Sequence, residues 1–233
     1  MSGYNEVAHV MNASNHKAAR RSGPILHYFY DPLCGWCYAS ESLIEVARHI
    51  PGLRIELHGG DLIPNPVRLP EAKRKQVRIA DERIHDLTGQ IFGQAYLGGL
   101  LYHPDSVWHS TPTIAAVLAA GAMAKVQAFP MIAAIQKAHY VDGRRVVDIN
   151  VLAEIARSTG LNDSEFRTQY AAAPVAEHIK NSQDMMHRFG LHGFPTFLLE
   201  RADEFTRLPH EPLYGRPDAF KALLTSLLAE KRT

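Results

Sequence analysis

The 233 residues contain two cysteines, separated by two positions in Cys34-Gly35-Trp36-Cys37. That spacing limits the chemistry. A structural disulfide framework needs more cysteines, more widely placed. A structural zinc site takes four ligands, so this pair would have to recruit two histidines. A lone Cys-x-x-Cys points instead to redox work, a disulfide opened and closed between the two sulfurs. The attacking species in such exchange is the thiolate, yet a free thiol with pKa near ~8.5 is mostly protonated at neutral pH. A helix N-terminus corrects this, because its unpaired N–H groups carry about half a positive charge. With a helix opening near Cys34, that sulfur sits at the positive end. Cys37 then lies a turn in, within reach of ring closure. Cys34 is therefore expected to be the nucleophile and Cys37 the less accessible resolving thiol, with exchange passing through a mixed disulfide.

The surrounding elements must supply that geometry. Ile25 to Tyr30 is almost continuously apolar and aromatic, as in a strand covered on both faces. Asp31-Pro32 ends it, and from Trp36 the pattern becomes helical until Pro51-Gly52. Leu53 to Leu57 alternates, which reads as a second strand. From Glu71 to about Arg188 the pattern is helical, with segments at 72–87, 114–123, 129–139, 150–158, 164–170 and 175–189. Asp148 and either Asp163 or Ser164 are candidate caps. Strand character returns at Gly193 to Leu199 and Phe205 to Leu208, with Ala202-Asp203 in the turn between them. A last amphipathic helix carries Phe220, Leu223, Leu224, Leu227 and Leu228 on one face. The order is βαβ, a helical block, then ββα.

With Cys-x-x-Cys at its first strand-to-helix junction, this order resembles the thioredoxin fold. The helical block between the halves resembles the DsbA family of thiol–disulfide oxidoreductases. The Asp31-Pro32-Leu33-Cys34-Gly35-Trp36-Cys37 run is similar to its cytoplasmic, FrnE-like members. The likeness covers residues 23 to 233 in layout and is specific at that motif and at Gly193-Phe194-Pro195-Thr196. It implies an α/β, thioredoxin-like fold with an inserted helical domain. Residues 1–22 would be an N-terminal arm, 23–66 and 176–233 the thioredoxin-like domain, and 67–175 the insert. It also implies that Pro195 is a cis proline facing the two sulfurs, making Cys34, Cys37 and Pro195 the catalytic set. By the same match Gly35, Trp36, Phe194 and Thr196 contact substrate. Phe194 is bulkier than the family pattern suggests, and Gly35-Trp36 replaces the Pro-His pair of the strongly oxidising periplasmic enzymes. A neutral dipeptide stabilises the thiolate less, so the potential is expected below the ~−120 mV of DsbA.

Composition narrows the partners. The chain has 25 basic and 24 acidic residues, a net charge of +1, which argues against nucleic-acid or membrane-surface binding. The basic-rich stretch from Arg68 to Arg83 is broken by acidic residues and reads as a solvated helix face. No apolar segment of signal-peptide length follows Met1, and the apolar run from Ile114 to Met123 is too short to span a bilayer. A cytoplasmic location is expected. The substrates are expected to be protein thiols and disulfides or glutathione-like small thiols. No cofactor is implied beyond the Cys34–Cys37 disulfide, and no metal.

The flanking residues have plainer readings beside these. Asp31 serves a turn more readily than it tunes a thiol. Trp36 either covers the disulfide or contacts substrate. His27 reads as a hydrogen-bonded core histidine, and the other histidines as surface or cap residues, with His192 the one the fold would bring near Cys34. Tyr102, Trp108 and Thr111-Pro112-Thr113 are candidates for a pocket in the helical block. Two rival functions remain: a glutathione-binding kappa-class transferase or isomerase on the same fold, and a zinc-binding, chaperone-like module.

Overall fold

The computed structural model describes residues 23–202 and 204–229. The expected arm at 1–22 and Asp203 of the expected turn lie outside these residues. Strand β1 (Ile25–Tyr30) is buried at every position, which explains why its sequence is apolar on both faces. It lies inside a four-stranded sheet of order β2-β1-β3-β4. Strand β2 (Arg54–Gly59) runs parallel to β1. Strands β3 (Thr196–Arg201) and β4 (Glu204–Arg207) add antiparallel pairings.

Nine α-helices surround the sheet among the described residues. They are α1 (Gly35–Ala39), α2 (Glu41–Arg48), α3 (Glu71–Thr88), α4 (Ser110–Met123), α5 (Ala128–Tyr140), α6 (Ile149–Ser158), α7 (Asp163–Ala172), α8 (Val175–Arg188) and α9 (Pro217–Ala229). On one sheet face Tyr28 stacks on Phe197, ring centroids 5.0 Å apart, and Phe197 meets Phe220 of α9 at 5.3 Å. On the other face Phe29 and Leu198 pack with Met186 of α8 and with Leu191. Helix α4 is apolar almost all round because it is enclosed: Ile114, Ala116, Val117, Ala119 and Ala120 are buried. No helix of the described residues is long and apolar enough to cross a membrane.

The observed order, βαβ then helices then ββα, is the one the periodicity implies. Local differences have local causes. The single helix expected after Trp36 breaks at Ser40, whose hydroxyl bonds Cys37 O at 2.8 Å and Tyr28 Oη at 2.9 Å. A side-chain hydroxyl that reaches the backbone competes with the helix ladder. Asp148 caps α6 by accepting from Asn150 N–H. The cap of α7 is Asn162, which accepts from Glu165 N–H, and not Asp163 or Ser164. Gly98 and Gly99, residue types that favour turns, lie inside a π-helical segment, Ala95–Leu100.

Of the residues that could line a pocket or simply pack, Tyr102, Trp108 and Thr111-Pro112-Thr113, the packing reading fits Trp108 and Thr113, while Tyr102 is exposed. Trp108 and Thr113 are buried, and the void beside Trp108 measures only about 10 Å³. The surface-or-cap reading also fails for His139 and His210, which are buried. The His139 ring sits against Trp108 and Tyr140, each 4.7 Å away, and burial holds it down to about 3, hence neutral.

Candidate active site

The site begins where β1 stops. Asp31 turns the chain, its Oδ1 accepting from Leu33 N–H at 2.8 Å. Its Oδ2 accepts from Leu62 N–H at 2.7 Å, which ties the motif loop to the chain after β2. Asp31 therefore makes the expected turn and is also a buried carboxyl beside the thiols. Its backbone N–H points at Cys37 Sγ, 3.4 Å away. Burial outweighs the accepted hydrogen bonds and pushes its carboxyl up to about 6.

Cys34 follows as the N-cap of α1, its carbonyl accepting from Cys37 N–H at 2.9 Å and Tyr38 N–H at 3.1 Å. Both cysteines are free thiols. Cys34 is 7% exposed and Cys37 1%, so the outer sulfur is the approachable one. Burial, with Cys34 as its close neighbour, pushes the Cys37 thiol well above its usual range. The Cys34 thiol donates to the carbonyl of Phe194 at 3.4 Å, and the Phe194–Pro195 bond is cis. The chain before β3 thus forms a wall against the outer sulfur. An outer thiol at a helix start, an inner thiol a turn away and an adjacent carbonyl form an arrangement suited to disulfide exchange.

The bulk of Phe194 is accommodated by a missing side chain. A Cβ on Gly60 would stand 1.8 Å from Phe194 Cζ, so the ring occupies space that only glycine leaves open. Gly35 plays a similar part at the motif. A Cβ there would meet Ile84 Cδ1 at 3.0 Å and Asp81 Oδ1 at 3.2 Å, both from α3. Trp36 is half-buried, with Tyr214 at 5.1 Å between ring centroids and the Arg83 guanidinium 5.5 Å over its ring. A cleft of about 380 Å³ opens here, walled by Trp36, Arg83, Phe194, Pro195 and Tyr214, with His192 on its rim.

Of the residues expected to contact substrate, Trp36 and Phe194 line this cleft together with Pro195. Gly35 lies beneath, against α3. Thr196 is fully buried, and its hydroxyl donates to Gly193 O at 3.1 Å; its side chain braces the loop and is turned away from the cleft. Arg83, Gly60, Asp81 and Tyr214 were not singled out by the sequence. The stretch ending at Arg83 reads there as a solvated face, yet Arg83 covers Trp36 and makes no ion pair among the described residues. No local signal marks these four, since each joins the motif only through the fold. Neither sulfur belongs to a group of three or more potential metal ligands among the described residues; the one such group lies elsewhere.

Comparison with known proteins agrees with this geometry. A family model described as a DSBA-like thioredoxin domain matches residues 25–210. The structure of cytosolic disulfide reductase DsbM from Pseudomonas aeruginosa is 41% identical, with a TM-score of 0.81 over 88% of this chain and 98% of that one. The structure of the same reductase with GSH is 40% identical, with a TM-score of 0.81 over 88% of this chain and 100% of that one. A putative protein disulfide isomerase from Nitrosomonas europaea shares the fold at 24% identity, TM-score 0.76, over 88% and 98% of the two chains. No curated protein matches the chain.

Proposed function

This chain belongs to the DSBA-like thioredoxin domain family, and on that premise we propose that it works as a glutathione-linked disulfide reductase of the cytoplasm. Membership makes it a thiol–disulfide oxidoreductase. Direction, partner and compartment belong to the proposal, supported by likeness to a reductase described as cytosolic and as having a structure with GSH. The observation that carries it is the graded access of the two thiols, 7% for Cys34 and 1% for Cys37, beside a cleft whose Arg83 makes no ion pair among the described residues.

In this reading the Cys34 thiolate attacks one sulfur of a substrate disulfide. A Cys34–substrate disulfide forms and the first substrate thiol leaves. Cys37 then attacks Cys34 Sγ, releasing the second thiol and closing the Cys34–Cys37 disulfide. Two glutathione molecules return the pair to dithiol and leave as glutathione disulfide, so two electrons pass at each stage. Trp36, Phe194 and Pro195 form the wall along which a substrate strand or small thiol lies. Arg83 supplies positive charge for a glutathione carboxylate. Proton loss from buried Cys37 costs most, so resolution is the step that burial slows.

The test is disulfide reduction coupled to glutathione disulfide recycling, with Cys34→Ser and Cys37→Ser. Cys34→Ser is expected to abolish turnover. Cys37→Ser is expected to accumulate a glutathione adduct on Cys34, visible as an intact-mass shift. Full turnover in Cys34→Ser would overturn the mechanism. A measured potential as oxidising as the ~−120 mV of DsbA would overturn the reductase direction.

A further inference from the structure

A second cluster of reactive side chains lies on the sheet, apart from the thiols. Its members come from three strands, and the strand register brings them together. His27 of β1 pairs with Glu56 of β2, Phe29 pairs with His58, and on the other side Ile25 pairs with Glu200 of β3. Residues two apart on a strand share a face, so His27, Glu56, His58 and Glu200 project to the same side.

Their contacts are directed. His27 Nε2 lies 2.8 Å from Glu200 Oε2. An ionised carboxylate only accepts, so this nitrogen carries a proton, and whenever the ring is neutral Nδ1 keeps its lone pair. That lone pair faces His58 Nε2 at 2.9 Å and Glu56 Oε2 at 3.8 Å. These three donor atoms lie within 4.8 Å of one another. His27 is 4% exposed and Phe29 stacks on the His58 ring at 4.5 Å, which fixes both imidazoles. His178 of α8 does not join, since its Nε2 accepts the Gly59 N–H.

We propose that His27 Nδ1, His58 Nε2 and a Glu56 carboxylate oxygen form a binding site for one divalent transition-metal ion of the zinc class, with Glu200 orienting His27 from behind. Two imidazoles and one carboxylate are a borderline donor set that suits zinc, cobalt and their neighbours better than calcium or magnesium. Zinc–nitrogen bonds of about 2.0–2.1 Å in tetrahedral array need nitrogens roughly 3.3 Å apart. The 2.9 Å pair therefore opens slightly on binding, and the 3.8 Å contact closes by a similar amount. The carboxylate–histidine pairing of Glu200 and His27 is the usual outer support of a ligand histidine. Glu56 and His58 also border a groove of about 670 Å³ at the β2 edge, which gives the ion a way in and leaves a fourth position open to water. The competing occupant of the same point is a proton shared by the two rings.

The test uses full-length protein with the Cys34–Cys37 disulfide closed, so that no thiolate can bind metal. It is dialysed against zinc or cobalt(II), and metal is counted per chain. One zinc per chain and a tetrahedral cobalt(II) spectrum are expected. Glu56→Gln and His58→Gln are expected to weaken binding at least tenfold, and Glu200→Gln by about 10- to 100-fold. Glu56 is 47% exposed, so Glu56→Gln remains decisive even where a histidine variant folds poorly. Oxidised protein that retains no zinc, or Glu56→Gln that binds as wild type does, overturns the proposal.

Discussion

At the scale of residues, one side-chain type is held in two environments a helical turn apart. Cys34 has the Phe194 carbonyl and a little solvent; Cys37 has burial and the Asp31 N–H. The sequence implies this inequality from chain order alone, since the first cysteine of a helix-opening pair sits at the positive end. It does not reveal Arg83. A guanidinium over the Trp36 ring, without an acidic partner among the described residues, is available to an anionic substrate. Arg83→Ala is expected to raise the KM for glutathione about tenfold, the loss of one charge-assisted hydrogen bond of roughly 1.5 kcal/mol, with kcat little changed. Steady-state kinetics with varied glutathione check this. A fall in kcat at constant KM would place Arg83 outside substrate binding.

At the scale of elements, close approaches hold the motif. The loop after β2 gives room to the residue before β3: the Phe194 ring fills the space over Gly60. Gly60→Ala is expected to cost about 1–3 kcal/mol by overpacking and to lower activity. Adding Phe194→Ala is expected to recover part of that stability. A double-mutant cycle by chemical denaturation measures the coupling, and strict additivity would refute the contact.

Helix α3 meets α1 through Asp81, whose carboxyl accepts from Tyr96 Oη at 2.9 Å. Burial raises the Asp81 carboxyl to about 7, above its unfolded value. Stability contributed by its neutral form is therefore full below the unfolded value of 3.8 and is lost as pH rises through about 7. Asp81→Asn keeps an acceptor for Tyr96 without the charge. Its stability gain over wild type is expected to grow from about pH 4 to about pH 7 and to level off above, reaching a few kcal/mol at roughly 1.4 kcal/mol per pKa unit. Denaturant midpoints across that range are the readout, and a pH-independent difference would contradict it.

At the scale of the whole molecule, sheet and helical block share a core. One contiguous cluster runs from Tyr28, Cys37 and Phe197 to Ala116, Ile132 and Phe166. Tyr38, next to Cys37, stacks on Tyr140 of α5 at 5.0 Å. Unfolding the block alone would expose the back of the motif. A single calorimetric transition is expected, with calorimetric and van't Hoff enthalpies equal. Two separated transitions would show that the halves fold independently.

The sequence by itself determined the Cys34–Cys37 pair and the succession of strands and helices, and its resemblance at two motifs pointed to the Phe194-Pro195 segment opposite. These are readable because they rest on short spacings, on side-chain period and on a match at two motifs. Only the tertiary structure decided what gathers around them. Arg83 is 47 positions from Trp36, and Tyr214 is farther still. Gly60 shows its purpose only against a ring 134 residues on. The group formed by His27, Glu56, His58 and Glu200 exists because β1 lies between β2 and β3 in one particular register. Proximity across strands and layers is set by packing of the whole core, and no pattern local to the chain encodes it.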